Sequence, residues 1–136
     1  MNKVIVNIFF LAALVASSSI LAAGTGQTLM GDQEVPPVST AASARCDIVV
    51  GSDMAVSGSI DTTGIEGTAA HIHAGAQGVN GPVVVKLAKT ADNHWAVPAG
   101  TKLTSSQYES YMAGNLYVNV HSAAHANGEI RLQLKP

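Results

Sequence analysis

The sequence predicts an all-β protein, an antiparallel β-sandwich with one short helix. Short β-rich runs are separated by Gly, Asn, Asp and Pro, a rhythm that favours a sandwich or barrel over helices and crossovers. Two of the intervening loops carry an Asn-Gly pair, Asn80-Gly81 and Asn127-Gly128, which suits a hairpin turn with positive φ. Only one segment, "LTSSQYESYMAGN", has the marks of a helix.

The elements follow in order. Residues 1–23 open with Lys3 ahead of an apolar run that ends in Ser and Ala, the layout of a secretory signal peptide. Ala22, Ala23 and Gly24 each offer a small residue at the cut. An uncleaved anchor is the alternative, but the run is short for a span and is interrupted by Ser17 to Ser19. The folded domain is therefore expected over residues 24–136, in the periplasm or outside the cell, with no membrane span after cleavage.

Strands are expected at Gln27–Met30, Arg45–Val50, Ala55–Asp61, Ile65–His73, Val83–Ala88, Leu116–His121 and Glu129–Lys135. "EVPPV", residues 34–38, cannot be a central strand because neither proline donates a ladder hydrogen bond, so it reads as an edge or a rigid connector. In "RCDIVV", Cys46, Ile48 and Val50 alternate onto one face. Cys46 is the only cysteine, so it has no internal disulfide partner and reads as a small buried hydrophobe. Before the helix, Thr104 and Gln107 make a capping box, Leu103 and Tyr108 have the staple spacing, and Gly114 can end the helix in the left-handed conformation.

About 113 residues form one domain around one core. Both phenylalanines leave with the signal, so the core must be aliphatic, with Trp95, Tyr108, Tyr111 and Tyr117 as its aromatics. Without Lys3, six basic residues face nine acidic ones, which gives no basic footprint for nucleic acid.

The chemistry concentrates in "TAAHIHAGAQGVNGPVVVKL". Side chains alternate along a strand, so His71 and His73 share one face while Ile72 takes the other, inward one. In "LYVNVHS" the same period buries Val118 and Val120 and turns Tyr117, Asn119 and His121 outward. If these strands are neighbours, His71, His73 and His121 converge near the loop ends, with His125 as a candidate fourth group. Neutral imidazole is a ligand for copper and zinc, and His-x-His on one strand brings two nitrogens to one ion. The alternative is structural: the histidines pin loops by hydrogen bonds to carbonyls. His94 has no partner by spacing and reads as a surface residue beside Trp95.

Other groups point to no chemistry. Asp32 and Glu34 read as a solvated turn, and Glu129 and Arg131 as a salt-bridged hairpin surface. No phosphate loop, nucleophile elbow or complete catalytic constellation is present, so the protein is expected not to be an enzyme.

Three blocks, "LMGDQEVPPVSTAASA", "GTAAHIHAGAQGVNGPVVVKL" and "LTSSQYESYMAGNLYVNVHSAAHANGEIRLQL", closely resemble the CHRD domain, the module named from chordin and found alone in many bacterial exported proteins. The resemblance runs from about Leu29 to Leu134 and implies an extracytoplasmic β-sandwich of immunoglobulin-like or related barrel form. The motif positions it carries over are His71 and His73, Asn80 to Pro82, Asn119 to His121, and Gly128 to Arg131. Placement of "HIH" and "VNVH" also resembles the copper-binding strands of Cu,Zn superoxide dismutase, which favours copper over zinc. The chain departs from that enzyme by having no further histidines between His73 and His94 and no disulfide pair. The expectation is thus a metal-binding module with His71, His73 and His121 as ligands. Its alternative is a non-enzymatic structural or interaction module for a protein or polysaccharide.

Overall fold

A computed structural model describes residues 26–136. The expected signal segment, residues 1–23, lies outside the described residues. The strands are β1 (Gln27–Met30), β2 (Ser43–Cys46), β3 (Val49–Val50), β4 (Val56–Ser57), β5 (Ser59–Thr63) and β6 (Gly67–Ala74). After them come β7 (Val83–Lys86), β8 (Ala88–Ala91), β9 (His94–Ala96), helix α1 (Ser105–Met112), β10 (Leu116–Ser122) and β11 (Ile130–Leu134).

Nine strands form one antiparallel sheet in the order β7-β6-β10-β11-β1-β2-β5-β9-β8, and β3 pairs with β4 beside it. The two ends of this order, β7 and β8, are consecutive in the chain and joined through Leu87 alone. One extended segment therefore pairs with β6 at one end and with β9 at the other, so the sheet curls into a near-closed barrel with two facing layers. Closure removes the edges that an open sheet would leave unpaired. The all-β sandwich class expected from the sequence is the class observed.

Alternation fills the interior. Leu29, Ile60, Ile72, Leu116, Val118, Val120 and Ile130 are almost fully buried in one aliphatic cluster, with Trp95 as its large aromatic. Cys46 is buried within the same cluster as a free thiol. The capping box is present: Thr104 Oγ1 accepts from Gln107 N, and Gln107 Oε1 accepts from Thr104 N. Residues 34–38 form a connector, with a cis bond between Val35 and Pro36.

Three expectations change at the level of elements. The runs 45–50 and 55–61 each split in two, where Asp47 N turns to Ser59 O and Val97 N to Gly58 O. The segment 83–88 continues beyond Leu87 into β8, and β9 was not read from the sequence at all. Short strands holding Lys89 and His94 lack the apolar alternation that marks a half-buried strand.

The two Asn-Gly pairs also behave differently. Gly128 has φ +120, as a hairpin turn demands, but in the first loop positive φ falls at Gly78, not at Gly81. Gly81 is needed for another reason, since a Cβ there would collide with the carbonyl oxygen of Ala74. Backbone clash is harder to relieve than backbone strain. Gly81→Ala is therefore expected to lower unfolding free energy by about 3 kcal/mol or more, and Gly78→Ala, open to solvent, by about 1 kcal/mol. Urea unfolding of the two variants checks the order.

Candidate metal centre

The register of three strands sets out the site. On one face of the sheet, His71 of β6 lies opposite Asn119 of β10, which lies opposite Arg131 of β11. One step along, His73 lies opposite Tyr117, which lies opposite Gln133. Ile72, Val118 and Leu132 take the other face, and Ile72 and Val118 are fully buried there. The period-2 assignment of faces thus holds.

What changes is the environment of the outer face. It is not solvated: His73 is 7% exposed, Asn119 and Tyr117 2%, and Arg131 1%. Loops 31–40, 75–82 and 123–129 supply the polar partners and the cover. Arg131 Nη2 lies 3.0 Å from Ala76 O and 3.1 Å from Val79 O, while Nη1 reaches Asn80 Oδ1 at 3.3 Å. Its guanidinium carbon stands 3.5 Å from the Tyr117 ring centroid. On the strand at the other side of β10, the His73 ring stacks parallel on the same tyrosine, centroids 4.8 Å apart.

Arg131 and Glu129 are therefore not a hairpin surface. Burial pushes the Arg131 guanidinium down from its ordinary value, while Tyr117 and Glu34 hold it up. Glu129 accepts from Ser122 Oγ at 2.7 Å and from Thr40 Oγ1 at 3.0 Å. Glu34, expected on a solvated turn, is only 4% exposed, and burial pushes its carboxyl up to about 7 against the pull of Arg131.

The structure brings the three histidines together. Candidate ligand atoms of His71, His73 and His121 all lie within 4.8 Å of one another. Copper or zinc sits about 2.0–2.1 Å from imidazole nitrogen, so opposite ligands stand at most about 4.1 Å apart and the rings need close by less than about 1 Å. Two tautomers are settled by backbone acceptors. His73 Nδ1 donates to Gly81 O at 2.9 Å, and His121 Nδ1 donates to Ala126 O at 2.9 Å. Each ring then presents a lone pair at Nε2. His121 Nε2 accepts from His71 Nδ1 at 3.1 Å, whereas His73 Nε2 is buried and has no partner among the described residues.

Electrostatics keep His71 and His73 uncharged. Burial, then the neighbouring His121 and His73 and the ammonium of Lys86, push the His71 imidazole down to about 4. Burial also lowers His73, opposed by its bond to Gly81 O. Neutral imidazole is the form that ligates a metal.

The other histidines stand apart. His125 is not a fourth ligand: its Nε2 lies 4.0 Å from Glu129 Oε1. His94, on β9, bonds Asp61 Oδ1 at 2.5 Å on the surface. Sequence reasoning missed Glu34, Asn119, Tyr117 and Arg131 as parts of the site. The available signal was the "NGP" and "GEIR" positions carried by the family resemblance, whose partners lie 51 residues apart in the chain.

A family model, described as CHRD domain, matches residues 25–134. The chain belongs to the CHRD domain family. No curated protein and no solved structure matches it. The CHRD match spans every strand from β1 to β11 and includes all three clustered histidines and Arg131. Among the described residues of this CHRD domain, no helix is long and apolar enough to cross a membrane.

Folded His71 titrates near 4 and the unfolded imidazole near 6.5, so the unfolded chain binds the extra proton between them. The stabilisation from His71 is complete above about pH 6.5 and is lost as pH falls toward about 4. Glu34 has the opposite sign, since its raised value favours the fold below 4.5 and is lost as pH rises through about 7. The difference in urea midpoint between metal-free wild type and His71→Gln should therefore shrink on acidification across the His71 window. Arg131→Met strips donors from buried loop carbonyls and is expected to cost about 3 kcal/mol in the same assay.

Proposed function

We propose that this CHRD domain is an exported, non-enzymatic metal-binding module that holds one ion through His71, His73 and His121, copper by preference and zinc second. The observation that carries the proposal is His73 Nε2: a buried lone pair, in a ring whose other nitrogen is already committed to Gly81 O. Burying an acceptor without a donor is costly, and a metal ion supplies the missing partner. Three imidazole ligands suit copper and zinc alike, and the dismutase-like placement of the two strands supports copper. Export to the periplasm or outside the cell is supported by the signal-like residues 1–23.

A second reading has its own support. Both His73 and His121 pin a loop through Nδ1, so the rings also serve as structural ties in an interaction module for a protein or polysaccharide. The two readings part at His73 Nε2, which loop-pinning leaves unused.

Calorimetric titration of metal-free protein with Cu(I), Cu(II) and Zn(II) tests the proposal. The expected result is saturable one-to-one binding that perturbs the NMR signals of His71, His73 and His121 together, and its loss by at least about 100-fold in His73→Ala. No saturable binding in wild type would leave the interaction module.

A further inference from the structure

Three buried polar atoms with no partner among the described residues belong to side chains in one string: His73 Nε2, Asn119 Oδ1 and Glu34 Oε1. Asn119 is the middle member, its amide bearing on both the His73 ring and the Glu34 carboxyl. The string has no slack at its far end, where a Cβ on residue 128 would collide with both Glu34 Oε1 and Asn119 Nδ2.

The hydrogen-bond inventory permits two states of this string. An asparagine amide offers one acceptor atom and one donor group. With its NH2 toward Glu34, its oxygen is left beside the His73 lone pair, and two acceptors share a dry space. A half-turn of the amide brings the NH2 to His73 Nε2 and the oxygen to Glu34. All three atoms are then partnered, provided that Glu34 carries a proton to donate. A metal ion on His73 Nε2 removes the acceptor that holds the NH2, and the amide returns to serve a Glu34 carboxylate.

Resting on the metal-binding reading above, we propose that metal arrival at the histidines turns the Asn119 amide and drives one proton off Glu34. The exchange balances without electron transfer: a divalent ion and Glu34 in its acid form give the bound ion, the Glu34 carboxylate and one proton released to solvent. Glu34 lines a cleft of about 420 Å³ between residues 34–39 and 124–128, which gives that proton a way out. Charged and titratable groups around Glu34 are Arg131 on β11 and His125 across the cleft, with Glu129 next to His125 and His73 beyond Asn119. Of these, the buried Arg131 cation and an incoming dication both favour the carboxylate, while burial holds the proton on until the ion arrives.

The test is calorimetric titration of the protein with Cu(II) and with Zn(II), each in two buffers of different protonation enthalpy, which counts protons released per ion. Wild type is expected to release close to one Glu34-dependent proton at about pH 6, falling toward none at about pH 8.5. Glu34→Gln should still bind one ion but lose that release. Binding with identical proton release in wild type and Glu34→Gln overturns the coupling and leaves the metal reading standing. No binding of either ion in wild type overturns both. Infrared difference spectra of wild type give a second readout that does not depend on how the variant folds: metal should remove a protonated-carboxyl band, and an unchanged band overturns the proposal.

Discussion

The buried guanidinium of Arg131 is the contact on which the candidate site depends. It projects from β11 onto the polar face of the sheet, stacks on Tyr117 and reaches the carbonyls of Ala76 and Val79 and the side chain of Asn80. A cation removed from water needs such compensation, and carbonyl dipoles with an aromatic face provide it. The loop 75–82 is thereby tied down across the face. That loop carries Gly81, whose carbonyl orients His73, and Asn80, whose amide ties the residue 34–38 connector through Val35 O at 2.7 Å. Arginine, tyrosine and histidine form one stack across three strands, and the orientation of the ring that faces the cluster follows from it.

The molecule thus has two interiors. Inside the barrel lies an aliphatic core of ordinary kind. Over the outer face of β6, β10 and β11 lies a second, polar one, roofed by loops instead of by a sheet. Such a layer is stable only when its groups are satisfied, because a buried unpaired polar atom loses water without replacement. Most of its groups are paired: Gln133 Nε2 donates to Gly75 O and Gly114 O, Gly81 N donates to Tyr117 Oη, and Glu129 is held by two hydroxyls. The atoms left over belong to His73, Asn119 and Glu34, and among the described residues they gather on one side of this layer. Unsatisfied atoms clustered around three imidazoles are the physical ground for reading this face as a binding site instead of a roof alone.

Much of this was legible in the chain. The strand period placed Ile72, Val118 and Val120 inward and His71, His73 and His121 together on the opposite face, because side-chain direction follows from backbone geometry. The capping box and the burial of Cys46 are likewise local facts of the sequence. Misjudged were the residues whose role depends on distant segments: Glu34 and Arg131, read as solvated, sit under loops that local pattern does not place. Asn80-Gly81 was misread for the same reason, since Gly81 answers to the Ala74 carbonyl across the strand and not to a turn of its own.

The sequence by itself determined the all-β class, the family blocks, the faces of the strands and the identity of the three histidines, since each is a matter of spacing along one segment. Only the tertiary structure decided that β6 and β10 are neighbours, that the sheet closes through Leu87, and that loops bury the polar face. Strand order and loop cover are contacts between segments tens of residues apart, and alternation within a strand carries no information about them. The tautomers of His73 and His121 and the depressed proton affinities of His71 and His73 arise from those contacts.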